Sequence, residues 1–363
     1  MRVLVLGGTG NFGARIVRAL CADPAIQLCV AARGATHAEL PDGVPCTALT
    51  IESPDFAEGL RALSPNLVIH CVGPFQGQDY RVAAAALTAG AHYIDLADGR
   101  AFVAGFADSI HDKAVLAGRV AISGASTLPA LSYAVVDSLQ HGLSSLESIE
   151  VVIAPGQRAS RGRATLDAVF QYLGRPFFGW RDGRRTTVWG WMDLHNVRLD
   201  IGRRLAAACD VPDLELFPTL FKGIQSVRFH AALEFRVQHG VLWCLAALRR
   251  MGLPLPVGKW AVGLNRWAGA FDAAGGKYGG MKVAIRGRRG DGVLVQRTWQ
   301  LIAPAQKGPE VPCMAAVILA RRLAAGESFK PGAYPCVGFV GLAEFAAEFA
   351  RWQMISRITE DLL

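Results

Sequence analysis

The chain lacks any Cys-x-x-Cys pair. Its eight cysteines stand singly at 21, 29, 46, 71, 209, 244, 313 and 336, and no Cys/His group has zinc-ligand spacing. The expectation is therefore free thiols, no disulfide framework and no metal site. No apolar run reaches the ~18 residues that a membrane-spanning helix needs. The opening MRVLVLGGTG has a short apolar run that leads straight into glycines, unlike a secretory signal, so a cytoplasmic protein is expected. Lysine is scarce, seven of 38 basic residues, so the net charge of +8 is mostly guanidinium. The arginines lie in short scattered groups, such as Arg158/Arg161/Arg163 and Arg286/Arg288/Arg289, rather than in one stripe with interleaved aromatics. That pattern argues against a nucleic-acid partner and leaves a small-molecule one.

What is present is apolar sequence in alternating registers. With 52% hydrophobic residues over 363 positions, there is enough to bury two domain cores. Val3–Leu6, Gln27–Ala31, Leu67–Val72, His92–Leu96 and Arg119–Ser123 read as strands, separated by helical patterns over 11–21, 79–89 and 101–117. Strands alternating with helices imply a parallel sheet with right-handed crossovers, placed at 1–125. After that the strands alternate in polarity or are rich in tryptophan: 148–154, 185–192, 223–235, 281–288 and 293–302. With helices near 163–173, 239–251 and 310–325, they predict a second α+β domain over 126–335 built on an antiparallel sheet. The tail Val340–Leu362 is expected to be one amphipathic helix.

Between the first strand and first helix lies Gly8-Thr9-Gly10-Asn11-Phe12-Gly13, with Gly7 in front. This is G-x-G-x-x-G in the strand–turn–helix setting that a dinucleotide turn requires. The first glycine is assigned the tight turn, the second close backbone approach to a pyrophosphate, and the third close packing of helix on strand. Amides at the helix start, with the helix dipole, favour the phosphates' negative charge. Thr9 and Asn11 can add side-chain hydrogen bonds. At the end of the second strand, where a carboxylate would bind a ribose 2′-hydroxyl, the sequence instead has Ala32-Arg33-Gly34. Arg33, with Thr36 and His37 nearby, suits a 2′-phosphate, which favours NADP(H) over NAD(H).

Three further segments accompany this turn: Cys71-Val72-Gly73-Pro74-Phe75 with Gly77-Gln78, Gly90-Ala91-His92-Tyr93-Ile94-Asp95-Leu96-Ala97-Asp98, and Gly124-Ala125-Ser126-Thr127-Leu128-Pro129-Ala130-Leu131-Ser132. Together they resemble the saccharopine dehydrogenase family, the saccharopine reductase-like group with an N-terminal NADP-binding domain. The likeness is best over 1–140, with a weaker echo in Gly308–Glu344. The resemblance implies an N-terminal Rossmann domain, that is, a doubly wound parallel sheet. It also implies a second α+β domain for substrate and dimerisation, and a C-terminal helix, 336–363, packing back on the first domain. It implies an NADP(H)-dependent oxidoreductase moving hydride to or from a carbon bearing nitrogen or oxygen. The loop after the fourth strand, Val72, Gly73, Pro74 and Phe75, would cover the nicotinamide side of the cofactor.

No acid–base residue stands out. Asp95 and Asp98 follow a strand end and can line a cleft, although Asp98, just before Gly99 and a helix, also suits a cap. Lys222, Lys259, Lys277, His195 and His230 are comparable in the second domain. Tyr278 and Lys282 spell Y-x-x-x-K, but Gly279 and Gly280 argue against the helix that pair needs. Gly240–Trp267 carries Trp243, Trp260 and Trp267 among Arg249, Arg250, Lys259 and Arg266. A domain or homodimer interface is expected there, with membrane-surface contact as the alternative. Two rival functions remain open: a non-catalytic NAD(P)-binding sensor or scaffold, and a biosynthetic reductase of a C=C or C=O bond.

Overall fold

The computed structural model of the chain describes residues 1–34, 40–160 and 162–363. Thr36, His37 and Arg161 lie outside the described residues. The first elements are β1 (Arg2–Leu6), α1 (Gly13–Leu20), β2 (Gln27–Ala32), β3 (Cys46–Ala48), α2 (Phe56–Ala62), β4 (Leu67–His70), α3 (Arg81–Thr88), β5 (His92–Asp95), α4 (Arg100–Ala104), α5 (Phe106–Leu116) and β6 (Val120–Ser123). Then come α6 (Ser132–Gln140), β7 (Leu143–Ala154), α7 (Arg163–Tyr172), β8 (Pro176–Arg181), β9 (Arg184–Trp189), β10 (His195–Leu199), β11 (Gly202–Ala208), α8 (Asp213–Leu220) and β12 (Ser226–Leu233). The remainder is α9 (Arg236–Arg250), α10 (Val257–Gly269), β13 (Tyr278–Arg289), β14 (Leu294–Pro304), α11 (Val311–Ala324), β15 (Gly332–Pro335), α12 (Leu342–Arg351) and β16 (Ile355–Leu362). The chain divides into two compact units, Met1–Leu131 with Glu310–Phe345 and Ser132–Pro309 with Ala346–Leu363.

The first unit is a seven-stranded sheet in the order β15-β6-β5-β4-β1-β2-β3, with every pairing parallel. Its central strands are continuous apolar runs because helices cover both faces. Val3 to Leu6 of β1 are at most 1% exposed, and Leu67 to His70 of β4 and Val120 to Ser123 of β6 are buried throughout. On α1, Ile16, Val17 and Leu20 recur at helical spacing and are buried. Strand order grows outward from β1 in both directions, so it reverses between β1 and β4. In such sheets that reversal opens a crevice at the strands' carboxyl ends. Return to this unit is made by α11, apolar on nearly every side and buried, and by the four-residue β15, which adds alongside β6.

The second unit holds a nine-stranded sheet, β10-β11-β12-β7-β13-β14-β16 with β8 and β9 attached through β12. The expected antiparallel sheet is in fact mixed, because β7 and β12 pair in parallel. The chain between them runs through α7, four strands and α8, long enough for the crossover a parallel pair needs. The tail also departs from expectation: α12 stops at Arg351, Gln353 adopts a positive φ of 56°, and Ile355–Leu362 is a strand on β14. Helical spacing of Phe345 and Phe349 does not extend past Arg351. The strand after it is an exposed edge carrying Arg357, Glu360 and Asp361, the kind of charged rim that discourages further pairing. The 336–363 helix is therefore limited to ten residues. The tryptophan-rich 240–267 stretch forms α9 and α10, leaving Trp243, Trp260 and Trp267 37–40% exposed. Among the described residues no helix is long and apolar enough to cross a membrane.

Candidate functional site

β1 ends at Leu6, and its continuation turns immediately. The Gly7 amide donates to the Ala31 carbonyl at 2.7 Å, and the Gly10 amide donates to the Gly7 carbonyl at 2.9 Å. Gly7 sits at φ +76°, the left-handed region, so the tight turn falls on it rather than on Gly8. A Cβ on Gly8 would lie 2.7 Å from Val30 Cγ1, and one on Gly13 would lie 2.2 Å from the Gly7 carbonyl oxygen and 2.8 Å from Gly8 Cα. These two glycines let strand and helix touch. Gly10 differs: it is exposed, and a Cβ there would meet only the Gly7 oxygen, at 3.1 Å. Thr9, Asn11 and Phe12 are half-buried around it. Among the described residues, the amides of Thr9 and Phe12 donate to no backbone carbonyl. Amides without a backbone acceptor, in a turn at the start of α1, suit an anion such as a pyrophosphate.

The loop after β4 leaves the sheet beside this turn. β4 and β1 are neighbours with Leu6 opposite His70, and the Cys71 amide donates to the Leu6 carbonyl at 2.9 Å. Val72 Cγ2 is 3.0 Å from where a Gly7 Cβ would stand. Gln78 fastens the loop from within, its Nε2 donating to the carbonyls of Val72 and Pro74 at 2.8 Å each. Val72, Gly73 and Pro74 are half-buried, whereas Phe75 is 4% exposed. Its ring packs against His70 at 5.0 Å and Phe102 at 5.3 Å, so it anchors the loop from below rather than forming an apolar wall. Arg33 is exposed, one residue past β2, the strand on the other side of β1. Turn, loop and arginine thus share the carboxyl edge of three adjacent strands, at the reversal of strand order.

Residues 3–122 match the family described as the saccharopine dehydrogenase NADP binding domain. This segment is similar to that domain. By sequence, no curated protein matches the chain. The fold is shared with the apo, L-Glu-forming saccharopine dehydrogenase of Saccharomyces cerevisiae, at a TM-score of 0.69 and 13% identity over 99% of each chain. It is similar to homospermidine synthase of Legionella pneumophila in complex with NAD, with a TM-score of 0.62 and 10% identity over 100% of this chain and 91% of that one. An engineered D-amino acid dehydrogenase bound to NADP+ aligns at a TM-score of 0.51 and 14% identity, over 96% of this chain and 98% of its own.

Within residues 3–122 the two aspartates have different surroundings. Asp95 is fully buried, and its Oδ1 accepts from the Ala97 amide at 2.9 Å, the Gly124 amide at 2.7 Å and the Ser123 hydroxyl at 3.0 Å. It ties the ends of β5 and β6 together, and burial pushes its carboxyl up to about 6 despite those donors. Beside it, the Tyr93 hydroxyl lies 2.9 Å from His70 Nδ1, and burial depresses His70 to about 3. Asp98 is half-buried and does not cap α4, whose N-cap is Gly99 with no side-chain bond. It accepts instead from Gln76 Nε2 at 3.3 Å, and burial raises its carboxyl pKa.

The remaining candidates lie in the second unit. Lys222 and Lys277 are exposed, and Tyr278 is half exposed at the start of β13, so Y-x-x-x-K lies on a strand. Sequence reasoning missed two supports of the turn. Arg15 on α1 pairs with Glu310 ahead of α11, and the Cys313 thiol approaches the Phe12 carbonyl at 3.5 Å. Both partners come from the returning segment, and no local spacing signals them.

Proposed function

We propose that the protein is an NADP(H)-dependent oxidoreductase that moves hydride to or from a carbon bearing nitrogen or oxygen. The observation that carries this reading is the bare Gly10 turn at the β1/β4 reversal, flanked by Arg33 where a ribose-binding carboxylate would stand. In this reading the backbone from Gly7 to Gly13 holds the pyrophosphate, with Thr9 and Asn11 as side-chain donors, and Arg33 pairs with the 2′-phosphate. Val72, Gly73 and Pro74 line the nicotinamide side, with Phe75 holding them from beneath. The bound nicotinamide supplies the hydride acceptor or donor; the protein binds, orients and manages one proton. Among the two aspartates at this edge, Asp98 keeps access to solvent and has a raised carboxyl pKa, which suits a proton-handling group. Asp95, locked by three donors, suits a structural tie. Amine chemistry runs through the names of the proteins that share the fold, which supports nitrogen over oxygen at the reacting carbon.

The test is NADPH oxidation with paired amines and keto acids, and NADP+ reduction with the corresponding secondary amino acids. The reading expects turnover with at least one pair, and Asp98→Asn to lower kcat while leaving NADPH affinity unchanged. Tight NADPH binding without turnover on any amine, keto acid, ketone or enone would move the protein to the non-catalytic alternative.

A further inference from the structure

Spacing in the sequence argued against a metal site, yet three strands of the second unit bring Glu150, His195 and His230 together. Glu150 is on β7, His230 on β12 and His195 on β10. β12 runs parallel to β7 with Arg228 opposite Glu150 and His230 opposite Val152. Across β11, His230 faces Ala208 and His195 faces Ala206. One nitrogen of each imidazole and one oxygen of Glu150 lie within 4.8 Å of one another. His195 Nε2 is 3.6 Å, and His230 Nδ1 3.8 Å, from the same Glu150 Oε1. Those separations are too long for hydrogen bonds. They are close to the edge of a metal tetrahedron, about 3.4 Å when each ligand stands roughly 2.1 Å from the ion.

Three independent features point to a ligand between these groups. His230 is 2% exposed, and neither its Nδ1 nor His195 Nε2 has a hydrogen-bond partner among the described residues. Buried imidazole nitrogens left this way are costly unless something else accepts their lone pairs. The far nitrogen of His195, Nδ1, stands 3.4 Å from the Asp193 carbonyl, so a backbone acceptor fixes the ring with Nε2 turned inward, as outer-shell partners of metal-bound histidines do. The strands also continue into a buried apolar cluster of Val152, Ala154, Val197, Leu199, Ala206 and Ala232, which limits how far the ligands can splay.

We propose that Glu150, His195 and His230 form a binding site for a zinc-class divalent metal ion, with a fourth position left for water or another oxygen donor. Two imidazoles and one carboxylate favour a borderline-soft ion such as zinc or cobalt over magnesium or calcium, which prefer all-oxygen shells. Positive charge from Lys282 and Arg228 reaches the cluster and tempers affinity, while Asp193 offsets it. The site is independent of the dinucleotide reading.

The test uses the untagged full chain, stripped with a chelator and titrated with Co2+ while visible absorption is followed. One equivalent of Co2+ per chain with tetrahedral ligand-field bands is expected, displaced by Zn2+. His195→Ala and Glu150→Gln are each expected to weaken Co2+ binding at least tenfold, and His141→Ala, an exposed histidine outside the cluster, to leave it unchanged. Zn2+ should raise the melting temperature of the parent chain and not that of Glu150→Gln, which preserves side-chain shape. Parent protein that binds no Co2+ equivalent, or binds it as tightly after both substitutions, would overturn the site and leave a histidine–carboxylate ion pair in its place.

Discussion

Replacing Arg33 by alanine isolates the described side chain on which the proposed NADP(H) preference rests. Arg33 is exposed at the end of β2, beside the turn, so its field acts through water rather than through protein. A guanidinium at ~4 Å from a unit charge is worth about 1 kcal/mol in bulk water, and the 2′-phosphate carries nearly two charges. Screening by salt removes part of that, while bidentate hydrogen bonds to phosphate restore some. The net loss is then about 1–2 kcal/mol, a roughly 5- to 30-fold weaker affinity for NADPH. NADH has no 2′-phosphate, so its affinity should stay within about twofold on the same energy scale. Fluorescence titration of both nucleotides against parent and Arg33→Ala measures the ratio directly. Raising salt from 50 to 300 mM should shrink the parent's preference and leave the variant's alone. Equal losses for NADPH and NADH, or none for either, would refute the charge argument.

Other consequences concern packing and protonation. Gly13→Ala drives a Cβ to 2.2 Å from the Gly7 carbonyl, and backbone cannot swing aside. A loss of about 3 kcal/mol is expected, read as a lower denaturant midpoint at unchanged slope. Asp213 is fully buried beside Ser132, and burial pushes its carboxyl up from 3.8 to about 7. The folded state therefore holds a proton that the unfolded chain releases, so stability falls as pH rises from about 4 to 7. The shift of about three units corresponds to about 4 kcal/mol, and Asp213→Asn should gain that much on the parent across the same window. His70 and His239 act with the opposite sign. Burial depresses them to about 3 and about 4, so the stability that they protect is present above pH 6.5 and lost on acidification toward those values. The difference between parent and Asp213→Asn cancels that contribution; a flat difference would contradict a neutral buried acid.

Much of the first unit was legible because its signals are local. Val3–Leu6, Leu67–Ile69 and Val120–Ile122 are uninterrupted apolar runs, and the glycines sit within one turn of chain. The position of Arg33, one residue past β2, was legible for the same reason. By contrast, β15 is a Gly-Ala-Tyr-Pro stretch in which only Tyr334 favours a strand, held in place by pairing with β6. Gln78 on the loop carbonyls and Asp95 on the Gly124 amide are geometric partnerships without a spacing rule. The second unit was harder still. Its strands, β8 to β11 above all, are short and polar-faced, and the break at Gln353 converts an apparent amphipathic helix into helix and strand. Glu150, His195 and His230 are brought together only by the strand order β10-β11-β12-β7.

The most direct test of the dinucleotide turn is NADPH titration of Gly10→Val, followed by the nucleotide's fluorescence. Because Gly10 is exposed and a Cβ there meets only the Gly7 oxygen, which must give by a few tenths of an ångström, the variant should fold with a modestly lower melting temperature. The added side chain would occupy the space where the pyrophosphate approaches the backbone, so saturable NADPH binding should disappear. A folded Gly10→Val that binds NADPH as tightly as the parent would contradict the account.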